Sequence, residues 1–109
     1  MAHSDEKQVK QFLQHAEAKL LHAEFAPPEA REEIWHEVKD ALIRAEKIVP
    51  GSGAWLMACL HGRQQNPEMC RKWLERAKKH GALPDGVTIQ SNPHLKLFHD
   101  SDWFQIYLG

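Results

Sequence analysis

VKDALIRAEK (residues 38–47) aligns with CRKWLERAKK (residues 70–79) at an offset of 32 residues. The matched pairs are Val38 with Cys70, Leu42 with Leu74, Arg44 with Arg76, Ala45 with Ala77 and Lys47 with Lys79. The apolar matches recur at intervals of three and four residues, which is the spacing of one face of an α-helix. A repeat of this period predicts that the two segments are equivalent helices in two successive helix pairs.

Helical periodicity runs through the first three quarters of the chain. The first helix carries, beside its main apolar stripe, a second apolar edge with Leu21 and Phe25. A Pro-Pro pair at residues 27–28 and the sequence PGSG at residues 50–53 end the first two helices, because proline and glycine interrupt helical structure. The predicted helices span residues 4–25, 28–48, 54–63 and 67–80.

After Gly81 the composition changes. Turn-forming residues dominate residues 82–94, and Val87 to Ile89 is predicted to be a brief extended stretch at most. The closing segment packs many large apolar side chains into little length. We expect it to form one or two short helices that fold back over an end of the helical stack, with Asp100 or Ser101 capping the last one.

Composition and charge describe an ordinary globular chain. It has 109 residues, 27% of them charged, with a net charge of -1 and a pI of about 6.7. These values predict one domain over residues 1–109, with a first hairpin (4–48), a repeat-like hairpin (53–81) and a loop with a C-terminal cap (82–109). The near-neutral charge makes nucleic acid an unfavoured partner.

The compartment is predicted from the apolar runs and the cysteines. The longest apolar run, residues 54–60, is too short for a bilayer, and the N-terminus goes directly into charged residues without a secretory signal. Two cysteines do not form a disulfide framework. We therefore expect a cytoplasmic protein with no membrane partner.

Residues 53–84 resemble a tetratricopeptide repeat. The small residues Ala58 and Cys70 stand where the two helices of such a repeat approach each other, and Leu74 occupies the large apolar position between them. Together with the phrase SNPHL…DSDWFQIYL, residues 53–108 resemble the last repeat and C-terminal cap of bacterial tetratricopeptide proteins. The resemblance implies an all-α, right-handed stack of two antiparallel helical hairpins with a C-terminal capping segment. It also implies that the chain binds other proteins and has no enzymatic activity.

Both cysteines of the chain lie in CLHGRQQNPEMC (residues 59–70), which raises the question of a metal site or a redox pair. The spacing does not fit the CxxC or HxxxH patterns of zinc sites, and His15 and His22 are seven residues apart rather than four. We interpret Cys70 as a small buried residue and expect Cys59 to be partly exposed. No catalytic motif, cofactor site or metal site is predicted.

Two surfaces could bind a partner. In the resembled fold the first helix of each pair lines a concave groove. The resemblance then implies that the groove holds Trp55, Cys59 and Arg63 from the third helix. The first helix would add Gln11, His15, Lys19 and His22, or the positions one residue away from them. We expect a peptide or a partner helix there, since tryptophan and arginine are frequent interface anchors.

The alternative surface is a basic stripe on the fourth helix, formed by Lys72, Arg76 and Lys79. Such a stripe would suit a small regulatory protein that associates with nucleic acid. Two hairpins also fall short of the three repeats that usually stabilise such arrays. The closing segment or a second chain must supply the missing layer, so a homodimer through the first helix stays open.

Overall fold

The computed structural model describes the backbone of residues 2–108 and the side chains of residues 4–108. Met1 and Gly109, which the predicted domain bounds include, lie outside the described residues. Helices make up the described chain, which contains no strand, so the all-α prediction is confirmed. The elements are α1 (Ala2–Phe25), α2 (Pro28–Ile48), α3 (Ala54–Arg63), α4 (Pro67–Lys79), α5 (Gly86–Ser91), the 3-10 helix η1 (Pro93–Phe98) and α6 (Asp102–Gln105).

The first four helices form two hairpins with short connections. Two residues join α1 to α2, and the two helices are antiparallel. Arg31 Nε, early in α2, donates to the carbonyl oxygen of Ala23 at the end of α1, whereas Lys19, earlier in α1, pairs with Glu37 further along α2. Three residues join α3 to α4, and Gln65 adopts a left-handed conformation with φ of 59° in that turn. Such short loops are typical of antiparallel helical hairpins.

The start of α4 is capped as the sequence predicts, whereas α5 forms where the sequence predicted an extended stretch. The Asn66 side chain accepts a hydrogen bond from the Met69 backbone, and Pro67 opens α4. Val87 to Ile89, predicted to be extended, lie instead in α5. Asp85 caps this short helix by accepting a hydrogen bond of 2.8 Å from the Thr88 backbone, and its cap outweighs the extended preference of the β-branched residues.

The core has two large adjoining parts that meet at α3, and a small third cluster of Ala23, Ala26 and Ile34 lies where α1 turns into α2. One part lies between the hairpins and contains Leu20, Leu42 and Leu60. The other lies between the α3–α4 hairpin and the C-terminal segment, which buries Ile89, Leu95, Phe98, Phe104 and Tyr107 against Ala58, Cys70 and Leu74. The C-terminal segment therefore supplies a third layer over the second hairpin. Ser101 precedes α6, but its side chain makes no capping hydrogen bond.

The Glu46 carboxylate joins the two hairpins at the start of α3. Glu46, near the end of α2, accepts hydrogen bonds from the backbone of Gly51 (3.1 Å) and Gly53 (2.7 Å) and from Arg76 Nε of α4 (2.6 Å). Its side chain is only 10% exposed, so these bonds are made in a poorly solvated place, where charge-assisted bonds are strong. Glu46 thus fixes the end of α2, the start of α3 and the flank of α4 relative to one another.

We expect Glu46→Ala to lower the free energy of unfolding by roughly 2–4 kcal/mol, because it leaves two backbone donors and a guanidinium without their acceptor. Asp40→Ala is the matched control, since Asp40 pairs with Arg44 on an exposed surface and such pairs contribute less than about 1 kcal/mol. Urea denaturation measures both. Equal stability of the two variants would contradict the role assigned to Glu46.

Candidate partner-binding groove

A groove lies between α1 on one side and the segment from α5 to η1 on the other, with α3 as its floor. Its central part has a volume of about 500 Å³. Polar residues, among them Gln14, Glu17 and Asn92, stand beside the apolar surface. The apolar lining consists of Leu20, Leu21, Trp55, Leu56, Cys59 and Pro93.

The groove continues in both directions along α1. Toward the start of α1, a depression of about 380 Å³ shares Gln14 and Glu17 with the central part and reaches Glu6. Toward the end of α1, a depression of about 670 Å³ shares Pro93 and His94 and reaches Glu24. We call the three parts together the α1 groove. From Glu6 to Glu24 it follows α1 for about 27 Å, at 1.5 Å per residue.

Trp55 and Cys59 line the central part of the α1 groove, and Arg63 lies at its far end. His15 and Lys19 lie elsewhere. Lys19 pairs with Glu37 of α2 at 3.1 Å, and His15 borders a separate depression between α1 and α2. The groove is therefore lined by a neighbouring face of α1, whose residues come one position earlier in the sequence. A shift of one residue rotates the face of a helix by about 100°.

The two cysteines are buried thiols. Cys59 is 1% exposed, so the expected partial exposure is wrong, and Cys70 is fully buried as expected. Burial raises the pKa of the Cys59 thiol far above its ordinary value and that of Cys70 to about 12. Both are therefore protonated at neutral pH and poorly nucleophilic. No group of three or more potential metal ligands occurs among the described residues.

A polar junction closes the far end of the α1 groove. The Arg63 guanidinium pairs with the Glu24 carboxylate of α1, and Arg63 Nε donates a 3.1 Å hydrogen bond to Nδ1 of His94 in η1. The same chain segment is held by the Asn92 side chain, which accepts a bond from the His94 backbone. Arg63 is thus a structural link among α1, α3 and η1, rather than the free interface anchor that its position suggested.

Gly62 lets η1 approach α3 beside this junction. A Cβ atom at Gly62 would lie 2.5 Å from the His94 carbonyl oxygen and 2.8 Å from Leu95 Cδ2. Such distances are far inside van der Waals contact, so only glycine fits without a shift of η1.

The basic stripe of α4 is interrupted. Arg76, its central residue, is turned toward Glu46 and neutralised by it. On a neighbouring face of α4, Tyr107 donates a hydrogen bond to Glu75, and the Lys78 ammonium lies 5.9 Å from the centre of the Tyr107 ring. Of the three predicted residues, only Lys72 and Lys79 carry no ion pair within the described part of the chain, which weakens the stripe as a phosphate-binding surface.

Two side chains of the groove, Glu24 and His94, were not singled out from the sequence. They are ordinary polar residues there, and only the fold brings them to Arg63. Leu21 was noted in the second apolar edge of α1 but was not assigned to a binding surface. It is 57% exposed and borders the central part of the α1 groove.

Comparisons of the chain with protein-family models, curated proteins and solved structures give no match. The tetratricopeptide resemblance therefore stays a prediction. Within the described residues, no helix combines the length and apolarity that a membrane crossing needs.

We expect Gly62→Ala to destabilise the protein by about 1–3 kcal/mol, because the added methyl group must displace η1. Alanine would otherwise stabilise a helix by about 1 kcal/mol relative to glycine, so the sign of the effect is diagnostic. Urea denaturation gives the stability, and hydrogen exchange of residues 93–98 reports the displacement. A gain in stability would show that η1 does not rest on Gly62.

The junction also predicts a pH dependence. Burial, and then the charge of Arg63, lower the pKa of His94 from 6.5 to about 4. The unfolded chain therefore takes up a proton between these values while the folded chain does not, so the stabilisation is complete above pH 6.5 and is lost as pH falls toward 4. Burial and Lys39 lower the pKa of His61 in the same sense.

His94→Gln isolates the part that His94 contributes. We expect the wild type to lose up to about 3 kcal/mol more than this variant between pH 7 and pH 4. Urea denaturation at several pH values measures the difference. Parallel stability curves for the two proteins would contradict the shifted pKa.

Proposed function

We propose that the chain is a non-enzymatic protein–protein interaction module that binds a segment of a partner protein in the α1 groove. The observation that carries this proposal is the apolar central part of the groove, open to solvent and flanked by the half-buried Trp55 and the exposed Leu21. Concave, mostly apolar surfaces of this kind are where proteins commonly bind partner segments. Buried, protonated thiols favour a binding role over thiol chemistry.

We also propose that the two hairpins are successive units of a tetratricopeptide-like, right-handed stack. The 32-residue offset between the equivalent segments of α2 and α4 supports this arrangement. So does the position of α3, which contacts both helices of the first hairpin as well as α4. A reducing cytoplasm suits the two free cysteines.

The proposed function is tested with peptides selected against the immobilised wild type from a random display library. We expect Leu21→Glu to weaken their binding at least about tenfold, since it replaces apolar contact area with a charge that binding would desolvate. Ile43→Glu is the matched control, because Ile43 is an exposed apolar residue of α2 outside the groove, and we expect its effect to stay below about twofold. Isothermal titration calorimetry on variants with wild-type circular dichroism gives the affinities.

Equal weakening by both variants, or none by Leu21→Glu, would exclude the α1 groove as the binding site. Failure to select any peptide would argue against a peptide-binding function altogether.

A further inference from the structure

The α1 groove has features that specify what it binds. Resting on the function proposed above, we infer that its occupant is an amphipathic α-helix of a partner protein, with acidic residues at the end that lies beside Arg31 and Lys96. An extended peptide fits the groove less well.

The helical form follows from the hydrogen-bonding groups of the walls. The walls and floor are mainly helices, whose backbone donors and acceptors bond within their own helix. In the central part, Leu21, Trp55 and Pro93 offer an extended chain no side-chain hydrogen bonds. Its N–H and C=O groups would depend on a few polar side chains, such as Gln14 and Asn92, and on water, whereas a helix satisfies them internally.

The dimensions agree with a helix that lies along α1. The groove follows α1 from Glu6 to Glu24, and a helix of about 18 residues spans the same 27 Å. Ala18 leaves room in the central part, where Leu21 is 57% exposed, and Leu97, which is 63% exposed, borders the depression at the end of α1. A partner helix with apolar residues at i, i+3, i+4 and i+7 would place them against these two leucines.

The charges at the two ends of the groove determine the direction in which the partner helix lies. At the end of α1, Arg31 and Lys96 border the groove, and neither forms an ion pair within the described part of the chain. Arg31 Nε donates to the Ala23 carbonyl oxygen, which holds its guanidinium beside the groove. The Arg63 charge is not available there, since Glu24 neutralises it.

The opposite end of the groove carries a net negative charge. Glu6 and Glu17 border it, with Lys10 as the one cation between them. A helix with acidic residues at one end and basic residues at the other therefore complements the groove in one direction. Like charges in the reverse direction would disfavour binding.

Three designed 18-residue peptides test the inference against the wild type. The first has a leucine stripe, glutamates at one end and lysines at the other. The second has lysines in place of the glutamates, and the third is the first with a central proline. We expect the first peptide to bind roughly tenfold more tightly than the second and third, to become helical on binding by circular dichroism, and to lose its advantage over the second peptide at high salt.

Charge reversal on the protein gives the second half of the test. Lys96→Glu should weaken the first peptide roughly fivefold and tighten the second. Lys72→Glu is the matched control, because Lys72 is an exposed lysine of α4 outside the groove, and it should change neither affinity.

The outcomes separate this inference from the function on which it rests. Equal affinity of the first and second peptides overturns the charge assignment, and equal affinity of the first and third overturns the helical form. If Leu21→Glu abolishes binding in either case, the α1 groove remains supported as the binding site. No binding of any designed peptide, while library-selected peptides still bind, overturns the inference alone. Sedimentation that shows a dimer abolished by Leu21→Glu identifies a second copy as the occupant and also overturns it.

Discussion

The pairing of Arg63 with Glu24 and His94 is the constraint on which the candidate site depends. It joins one residue each from α1, α3 and η1, the wall, the floor and the opposite wall of the groove. All three side chains are partly buried, so water competes weakly for these bonds, and loss of one partner leaves the others poorly satisfied. Gly62 and Arg63 are neighbours at the end of α3. Arg63 makes the polar contacts with α1 and η1, and Gly62 allows η1 to approach α3 closely.

Glu46 plays the corresponding part at the other end of α3. It holds the start of that helix through two backbone donors and reaches α4 through Arg76. The short helix α3 is therefore fixed at both ends by charged groups from the first hairpin, Glu46 of α2 and Glu24 of α1. Between these two junctions α3 packs its apolar side chains into both parts of the core, and the polar ends add to what apolar packing fixes. A groove of defined width follows from this arrangement, and pre-formed grooves bind with a smaller entropic cost.

Sequence patterns predicted the helical elements well and the site in part. The boundaries of α1 to α4 follow from periodicity, proline and glycine, all of which act locally. The resemblance assigned Trp55 to the groove, whereas for α1 it left open which of two neighbouring faces lines the groove, since two apolar edges on one helix leave its rotation undetermined. The pairings of Glu24 with Arg63 and of Glu46 with Arg76 join residues 39 and 30 positions apart and depend on hairpin packing that no local pattern encodes. Helix α5 was missed because its β-branched residues favour strands, and the Asp85 cap together with the burial of Ile89 outweighs that preference.

The proposed function requires that partners bind between α1 and the C-terminal segment. The most direct test is a chemical-shift map of the isotope-labelled protein, titrated with a library-selected peptide. The account predicts that the largest shifts fall on the groove-facing residues of α1 between Gln14 and Glu24, on Trp55 and on residues 92–97. Shifts concentrated on the outer face of α4, around Lys72 and Lys79, or spread evenly over the protein, would contradict it.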